Sequence, residues 1–210
     1  MKILQRHFLS ENISKKIFFV SNLVISFGIL LTIVSGGWDV TNHLLNKPET
    51  FFSPSHLLLY SGVIVALFGT VIMFSQWHRM SVDEKFRYSF SVKLGMIGIP
   101  ILLAAGPVDF LWHSNFGLDG LLSPPHLTLI SGMFLCAVGS MISNLRFGLA
   151  YKKKSYSIHH FLVPLAILPV WIVSSAFLYS FSLPFSETEH FDFNPGIILP
   201  QFSQPFLCHF

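Results

Sequence analysis

The feature that most constrains this chain is a polar motif that occurs twice, each time directly before a long apolar segment. The motif reads Asp, three residues, His, five residues, an acidic residue, six residues and His. The two copies are Asp39, His43, Glu49 and His56, and Asp109, His113, Asp119 and His126. Positions 39–62 and 109–132 share nine identities in 24. We therefore predict an internal duplication with an offset of 70 residues.

Composition places the chain in the membrane, because 52% of its residues are hydrophobic and only 11% are charged. Five segments are long enough to cross about 30 Å of hydrocarbon as helices. These segments are about 17–38, 55–77, 93–113, 125–146 and 159–183. We predict an all-α integral membrane protein with five transmembrane helices, in which helix hairpins are duplicated in parallel and one extra helix follows.

We predict that residues 1–210 form one transmembrane domain. Its parts are repeat 1 (about 17–77), repeat 2 (about 93–146), the fifth span (about 159–183) and a C-terminal tail (184–210).

Basic residues predict the orientation of this domain. Of 13 Lys and Arg residues, 12 lie before the first span or in the loops after the second and fourth spans, and Lys47 is the exception. Because basic residues concentrate on the cytoplasmic side, we expect a cytoplasmic N-terminus, with the C-terminus and both motifs on the outer side of the cell membrane. The net charge of +3 reflects this asymmetry rather than a nucleic-acid surface. Membrane lipid, and no nucleic acid, is the expected partner.

The spacing within a motif predicts how its side chains meet. Asp39 and His43 are four residues apart and share one helix face. Ser53-Pro54 is typical of a helix start, with a capping residue followed by proline at the first helical position. His56 then falls in the first turn of the second span. A loop that folds back would bring its imidazole against the Asp–His pair of the preceding helix.

The second motif repeats this arrangement with Asp109, His113 and His126. Glu49 and Asp119 come from the connecting loops, where each is a further ligand or a partner that orients an imidazole. Two imidazoles and a carboxylate suit copper, iron or zinc and fit magnesium or calcium poorly, but ligand type does not choose among the three. The alternative is a structural Asp–His hydrogen bond that both repeats inherited.

These residues also carry a family resemblance. The stretch WDVTNHLLNKPETFFSPSHLLLYSG resembles the copper-ligand region of the C-type chain of the copper-dependent membrane monooxygenases, the particulate methane and ammonia monooxygenases. Asp39, His43 and His56 fall on that family's Asp-x3-His-x12-His pattern. The second motif is similar to the later Asn-Glu-x-x-His motif of the same C-type chain, but Asp109 replaces the Asn and Phe110 replaces the Glu. The resemblance covers about residues 30–145.

The resemblance implies a membrane component of a monooxygenase that oxidises a small substrate such as ammonia, methane or a short hydrocarbon. Asp39, His43 and His56 would hold copper, and the second motif would hold another metal. Glu49 or Asp119 would relay protons, and partners similar to the A-type and B-type chains of such monooxygenases would be needed.

Two other functions are consistent with the residues alone. One is a non-catalytic membrane protein that binds copper or zinc, as an acceptor, chaperone or permease. The other is a di-iron oxygenase, in which both repeats converge on one binuclear centre. Whether the chain is an enzyme, and whether its cofactor is copper rather than iron or zinc, follows from the resemblance only.

Overall fold

The described part of the chain folds into five helices and contains no strand. The computed structural model describes residues 2–45, 47, 50–116, 122–151 and 156–180, with side chains for 12–42, 45, 47, 50–116, 122–149 and 164–179. The helices are α1 (Lys2–Leu44), α2 (Pro54–His78), α3 (Val82–Phe116), α4 (Pro124–Tyr151) and α5 (Tyr156–Ser180). The predicted all-α class is confirmed.

Four of the helices have the length and composition of membrane spans. They are α1 over Asn12–Asn42, α2, α3, and α4 over Pro124–Leu149. The 25 residues of α2 extend about 38 Å, which exceeds the hydrocarbon thickness. Large apolar side chains such as Phe27 and Phe68 are exposed on the helix surfaces, where lipid would cover them. The protein is therefore of the membrane class.

The described apolar part of the fifth helix is shorter than the candidate membrane spans of the other four helices. The described apolar stretch of α5 is Pro164–Tyr179, and Pro164 and Pro169 lie inside the helix. A helix at this position is confirmed, while a fifth membrane crossing stays a prediction. Residues 181–183 of the predicted span, and the tail, lie outside the described residues.

Helix ends differ from the predicted spans because the spans follow apolar runs, whereas helices continue through polar residues. Thus α1 begins at Lys2 and α3 at Val82, well before the apolar segments. Lys, Glu and Arg are good helix formers and need no burial. Hydropathy therefore locates the part of a helix that lies in lipid, but not where the helix begins.

The helices form two hairpins that pack side by side. α1 packs most extensively on α2, and α3 packs most extensively on α4. Smaller contacts join α1 to α4 and α2 to α3. Side chains also join α1 to α3, where Lys15 Nζ lies 3.2 Å from Glu84 Oε1 and the rings of Phe18 and Tyr88 are 4.9 Å apart. This pattern is a four-helix ring, and α5 packs against α4 and α1. We call the end of the ring where α1 and α3 finish and α2 and α4 begin the motif end.

Close backbone approach at glycines holds each hairpin together. A Cβ on Gly28 would lie 2.6 Å from the backbone nitrogen of Ala66 and 2.7 Å from the carbonyl oxygen of Gly62. At the positions 70 residues later, a Cβ on Gly98 would lie 2.9 Å from the backbone nitrogen of Cys136, and one on Gly132 would lie 3.1 Å from the carbonyl oxygen of Gly98. The two hairpins thus make equivalent contacts, and their origin by duplication stays a prediction.

The start of α2 agrees with the predicted proline and with the predicted N-cap position, but the Ser53 side chain does not cap the helix. Pro54 is the first helical residue, and Ser53 precedes it with extended backbone (φ −54°, ψ 147°). The Ser53 side chain forms no hydrogen bond to the helix N-terminus. Its Oγ instead accepts a hydrogen bond of 2.7 Å from the backbone N–H of Thr50. Ser53 therefore occupies the N-cap position, while its hydroxyl stabilises the preceding turn.

Replacing Gly28 with alanine should destabilise the protein by about 2 kcal/mol, because the new methyl group would meet backbone atoms that cannot move independently. Gly37→Ala is the matched control. A Cβ at Gly37 has no atom within 4 Å, and alanine favours the helix by up to about 1 kcal/mol. Thermal unfolding in detergent, followed by circular dichroism, compares the two variants. Equal melting temperatures would contradict the close packing at Gly28.

Candidate metal centre

Helices α3 and α4 bring three side chains of the second motif together at the motif end. Asp109 Oδ1 lies 3.3 Å from His113 Nε2 and 3.2 Å from His126 Nε2. Asp109 and His113 are one turn apart on α3, and His126 comes from the first turn of α4. One ligand atom of each residue lies within 4.8 Å of the other two. The predicted meeting across a helix hairpin is present in this half of the molecule.

Helices α1 and α2 make the corresponding contact in the first motif. Asp39 Oδ1 lies 3.0 Å from His56 Nε2, and both side chains are largely shielded from solvent. His43 lies within α1, at the position that corresponds to His113, but its side chain is outside the described residues. Glu49 and Asp119 also lie outside them. The roles predicted for these three residues stay predictions.

The hydrogen bond on the far side of His56 determines which nitrogen carries the proton. Its Nδ1 lies 2.9 Å from the carbonyl oxygen of Thr50. A carbonyl only accepts, so His56 Nδ1 must donate. In a neutral imidazole the Nε2 atom then presents a lone pair to Asp39 Oδ1. Two acceptors at this distance attract each other only through a proton, carried by either the imidazole or the carboxyl group, or through a metal ion.

The separations of the contacting atoms match those of ligands on one ion. Ligand atoms about 2.0–2.2 Å from a metal, at angles of about 90–109°, lie about 2.8–3.5 Å apart. The three Asp–His separations of 3.0, 3.2 and 3.3 Å fall in this range. Asp109 Oδ1 is also buried and makes no hydrogen bond of regular geometry with the described residues. The donors present therefore fit a metal ion.

A hydroxyl orients the imidazole of the second motif. Ser123 Oγ lies 2.9 Å from His126 Nδ1, and Ser123 is buried just before α4. When Nδ1 donates to this oxygen, the lone pair on Nε2 faces Asp109. Thr50 and Ser123 thus perform the same task for the two motifs, one with a backbone oxygen and the other with a side chain. Such contacts fix the ring orientation of histidines that bind metals.

Both motifs face the same small cavity, which lies between the hairpins and has a volume of about 30 Å³. Its polar lining consists of Asp39, His56, Tyr60, Asp109 and His126. Its other lining residues are Leu59, Ala105, Gly106, Pro125 and Leu129. His56 and Asp109, which belong to different hairpins, are close enough to interact electrostatically. The space holds about one water molecule or a similarly small ligand.

Aromatic packing connects the two hairpins beside this cavity. The ring of Phe51, in the loop before α2, lies 5.1 Å from the ring of Tyr60 and 5.4 Å from the ring of Phe110 on α3. These contacts pack the loop and helix of the first hairpin against α3 of the second, beside the charged groups of the cavity.

The sequence predicted Asp39, His56, Asp109, His113 and His126, and the structure places all five at the motif end. It did not predict the Thr50 carbonyl or Tyr60. Tyr60 follows His56 by four residues on one helix, so the helical period could have indicated that both share a face. No sequence pattern indicates the Thr50 carbonyl, because any residue has one.

Comparisons of the chain with protein-family models, curated proteins and solved structures give no match. The class of protein therefore rests on the fold and the site. Four apolar helices and an Asp–His group with the spacing of metal ligands define a helical membrane protein with a candidate metal centre.

Replacing Ser123 with alanine should weaken metal affinity about tenfold, because His126 would lose the partner that orients its ring. Ser61→Ala is the control, since Ser61 is exposed and donates only to the Leu57 carbonyl one turn earlier. Competition with a chelator for Zn²⁺ or Cu²⁺ measures the affinity in detergent. If both variants bind as tightly as the parent protein, Ser123 does not support the site.

Proposed function

We propose that this protein is a membrane metalloprotein in which the two hairpins share one metal centre. The observation that carries the proposal is that Asp39 and His56 from one hairpin line the same cavity as Asp109 and His126 from the other. If the Asp–His contacts were only structural hydrogen bonds, each hairpin could form its own, and the two motifs would not need to face one cavity. A shared centre does require it.

The charges around the cavity favour a bound cation. Asp39 and Asp109 have side chains that are 13% and 24% exposed, and each ionised carboxylate costs several kcal/mol when removed from water. Bound cations beside the two carboxylates compensate this cost. Imidazole and carboxylate donors suit copper, iron or zinc, and among these we propose copper, on the strength of the resemblance of Asp39, His43 and His56 to the copper-ligand pattern.

We propose two ions that face the common cavity. Asp109, His113 and His126 would hold one, and Asp39 and His56 would hold the other, with His43 as the predicted third ligand. Each carboxylate contacts imidazoles of its own hairpin, so each hairpin supplies a set of donors. In this arrangement the cavity lies between the ions, where a small ligand reaches both.

Oxygen-dependent oxidation of a small substrate is the activity that we propose for this centre. Its support is the lining of the cavity: Leu59, Ala105 and Leu129 are apolar and lie beside the charged donors. Such a lining admits a small, weakly polar molecule and keeps bulk water away from the metal ligands. Bound copper would supply the redox chemistry. The chain would act with partners similar to the A-type and B-type chains, and the distribution of basic residues favours a motif end outside the cell.

A permease is the second candidate, since a polar seam runs between α1 and α4 toward the opposite end. Ser140 Oγ lies 2.8 Å from Ser26 Oγ and donates to the carbonyl of Asn22 at 2.6 Å. Asn144 approaches Ser140 Oγ at 3.5 Å. The four residues of this seam carry no charge, so it is better suited to joining helices than to passing a divalent ion. The seam therefore favours a resident metal.

Metal content, measured by mass spectrometry on the detergent-purified protein, tests the proposal. We expect about two ions per chain, and a loss of at least one in each of two double variants, His43→Ala with His56→Ala and His113→Ala with His126→Ala. His78→Ala is the control, because His78 is exposed in the last turn of α2, away from the motif end.

The identity and amount of metal decide between the candidate functions. Copper that falls in both double variants supports the proposed oxidation and justifies a search for partner chains. Iron supports the di-iron alternative, and zinc supports a non-catalytic protein. If the folded protein binds none of the three metals when they are supplied, its Asp–His contacts are structural hydrogen bonds and the proposal is overturned.

A further inference from the structure

Tyr60 is the one hydroxyl-bearing residue among the described residues that line the cavity. It lies on α2, one turn after His56, and its ring centre is 6.1 Å from that of His56. It is also close enough to both Asp39 and Asp109 to interact electrostatically with them. The phenol of Tyr60 therefore lies where the two hairpins meet, beside the proposed ligands, and the proposed function gives it no role.

Packing holds the Tyr60 ring in place from two sides. Phe51 contacts it at a ring-centre distance of 5.1 Å. On α3, a Cβ on Gly106 would lie only 3.3 Å from Tyr60 Cε1, so glycine at this position leaves room for the ring. A side chain held in this way loses little conformational freedom when its hydroxyl binds a ligand, which favours binding.

The phenol makes the two halves of the centre unequal. The position that corresponds to Tyr60 in the second hairpin is Ile130, which is partly buried and has no hydrogen-bonding group. Asp39 and Asp109 correspond to each other, as do His56 and His126, but among the described residues that line the cavity a hydroxyl is present on one side only. A ligand in the cavity would therefore meet metal ions from both sides and a hydroxyl donor from one.

We infer that the Tyr60 hydroxyl donates a hydrogen bond to a small metal-bound ligand in the cavity and thereby selects ligands that carry an acceptor atom. The inference rests on the proposed metal centre. A cavity of about 30 Å³ admits only a ligand of a few atoms. Hydroxide, azide and oxygen-derived anions accept a hydrogen bond strongly, whereas carbon monoxide accepts one weakly. Tyr60 would distinguish between these two classes.

Azide binding to the copper-loaded, full-length protein tests this role in detergent. Tyr60→Phe removes only the hydroxyl, so the copper content should stay unchanged while the azide affinity of the Cu(II) protein falls about tenfold. Optical titration of the azide-to-copper charge-transfer band measures that affinity. Carbon monoxide binding to the reduced protein should not change. Tyr179→Phe is the matched control, because Tyr179 is an exposed tyrosine on α5.

Each outcome decides a different claim. Equal azide affinity in the parent protein and Tyr60→Phe, with copper bound to both, would overturn the inference and leave the metal centre standing. Loss of copper in Tyr60→Phe would also overturn it, since the phenol would then support the metal itself. A folded parent protein that binds no copper, iron or zinc would overturn the proposed centre and this inference together. If Tyr60→Phe does not fold, Tyr60→Ile, which reproduces Ile130 of the other hairpin, gives the same comparison.

Discussion

Backbone contact between paired helices is the constraint on which the rest of the structure depends. Gly28 and Gly62 join α1 to α2, and Gly98 and Gly132 join α3 to α4, at distances that no side chain permits. Lipid tails are as apolar as leucine, so helices in a membrane associate through close packing and hydrogen bonds rather than through a hydrophobic force between them. The glycines thus set the register of each hairpin, and the register places a carboxylate at the end of one helix opposite an imidazole at the start of the next.

Charge is the second constraint, and it connects the fold to the site. Among the described residues, two carboxylates with little solvent exposure lie at the motif end, and each has an imidazole nitrogen within 3.3 Å. The carbonyl of Thr50 forces the proton of His56 onto the nitrogen that faces away from Asp39. The remaining contact therefore needs a shared proton or a metal ion. Two such pairs around one cavity are the arrangement on which the proposed metal centre rests.

The parts of the site that the sequence predicted are those that depend on local spacing. Asp109 and His113 share a helix face because they are four residues apart, and His126 falls in the first turn of α4 because Ser123-Pro124 begins that helix. The meeting of Asp39 with His56 follows in the same way from a short loop between apolar helices. Ser53 occupies the predicted N-cap position, but its hydroxyl accepts from Thr50 in the preceding turn and not from the helix N-terminus. Local alternatives of this kind depend on loop conformation, which has no period to detect.

The sequence by itself determined a helical membrane protein with two similar hairpins, because hydrophobic length and a repeated spacing of polar residues are properties of the chain alone. Only the tertiary structure decided that both motifs face one cavity. That outcome depends on the contacts of α1 with α4 and of α2 with α3, which join residues far apart in sequence and leave no periodic pattern. The tertiary structure also brings Tyr60, Gly106 and Phe51 into the site, because their proximity follows from how the hairpins pack and not from their separation along the chain.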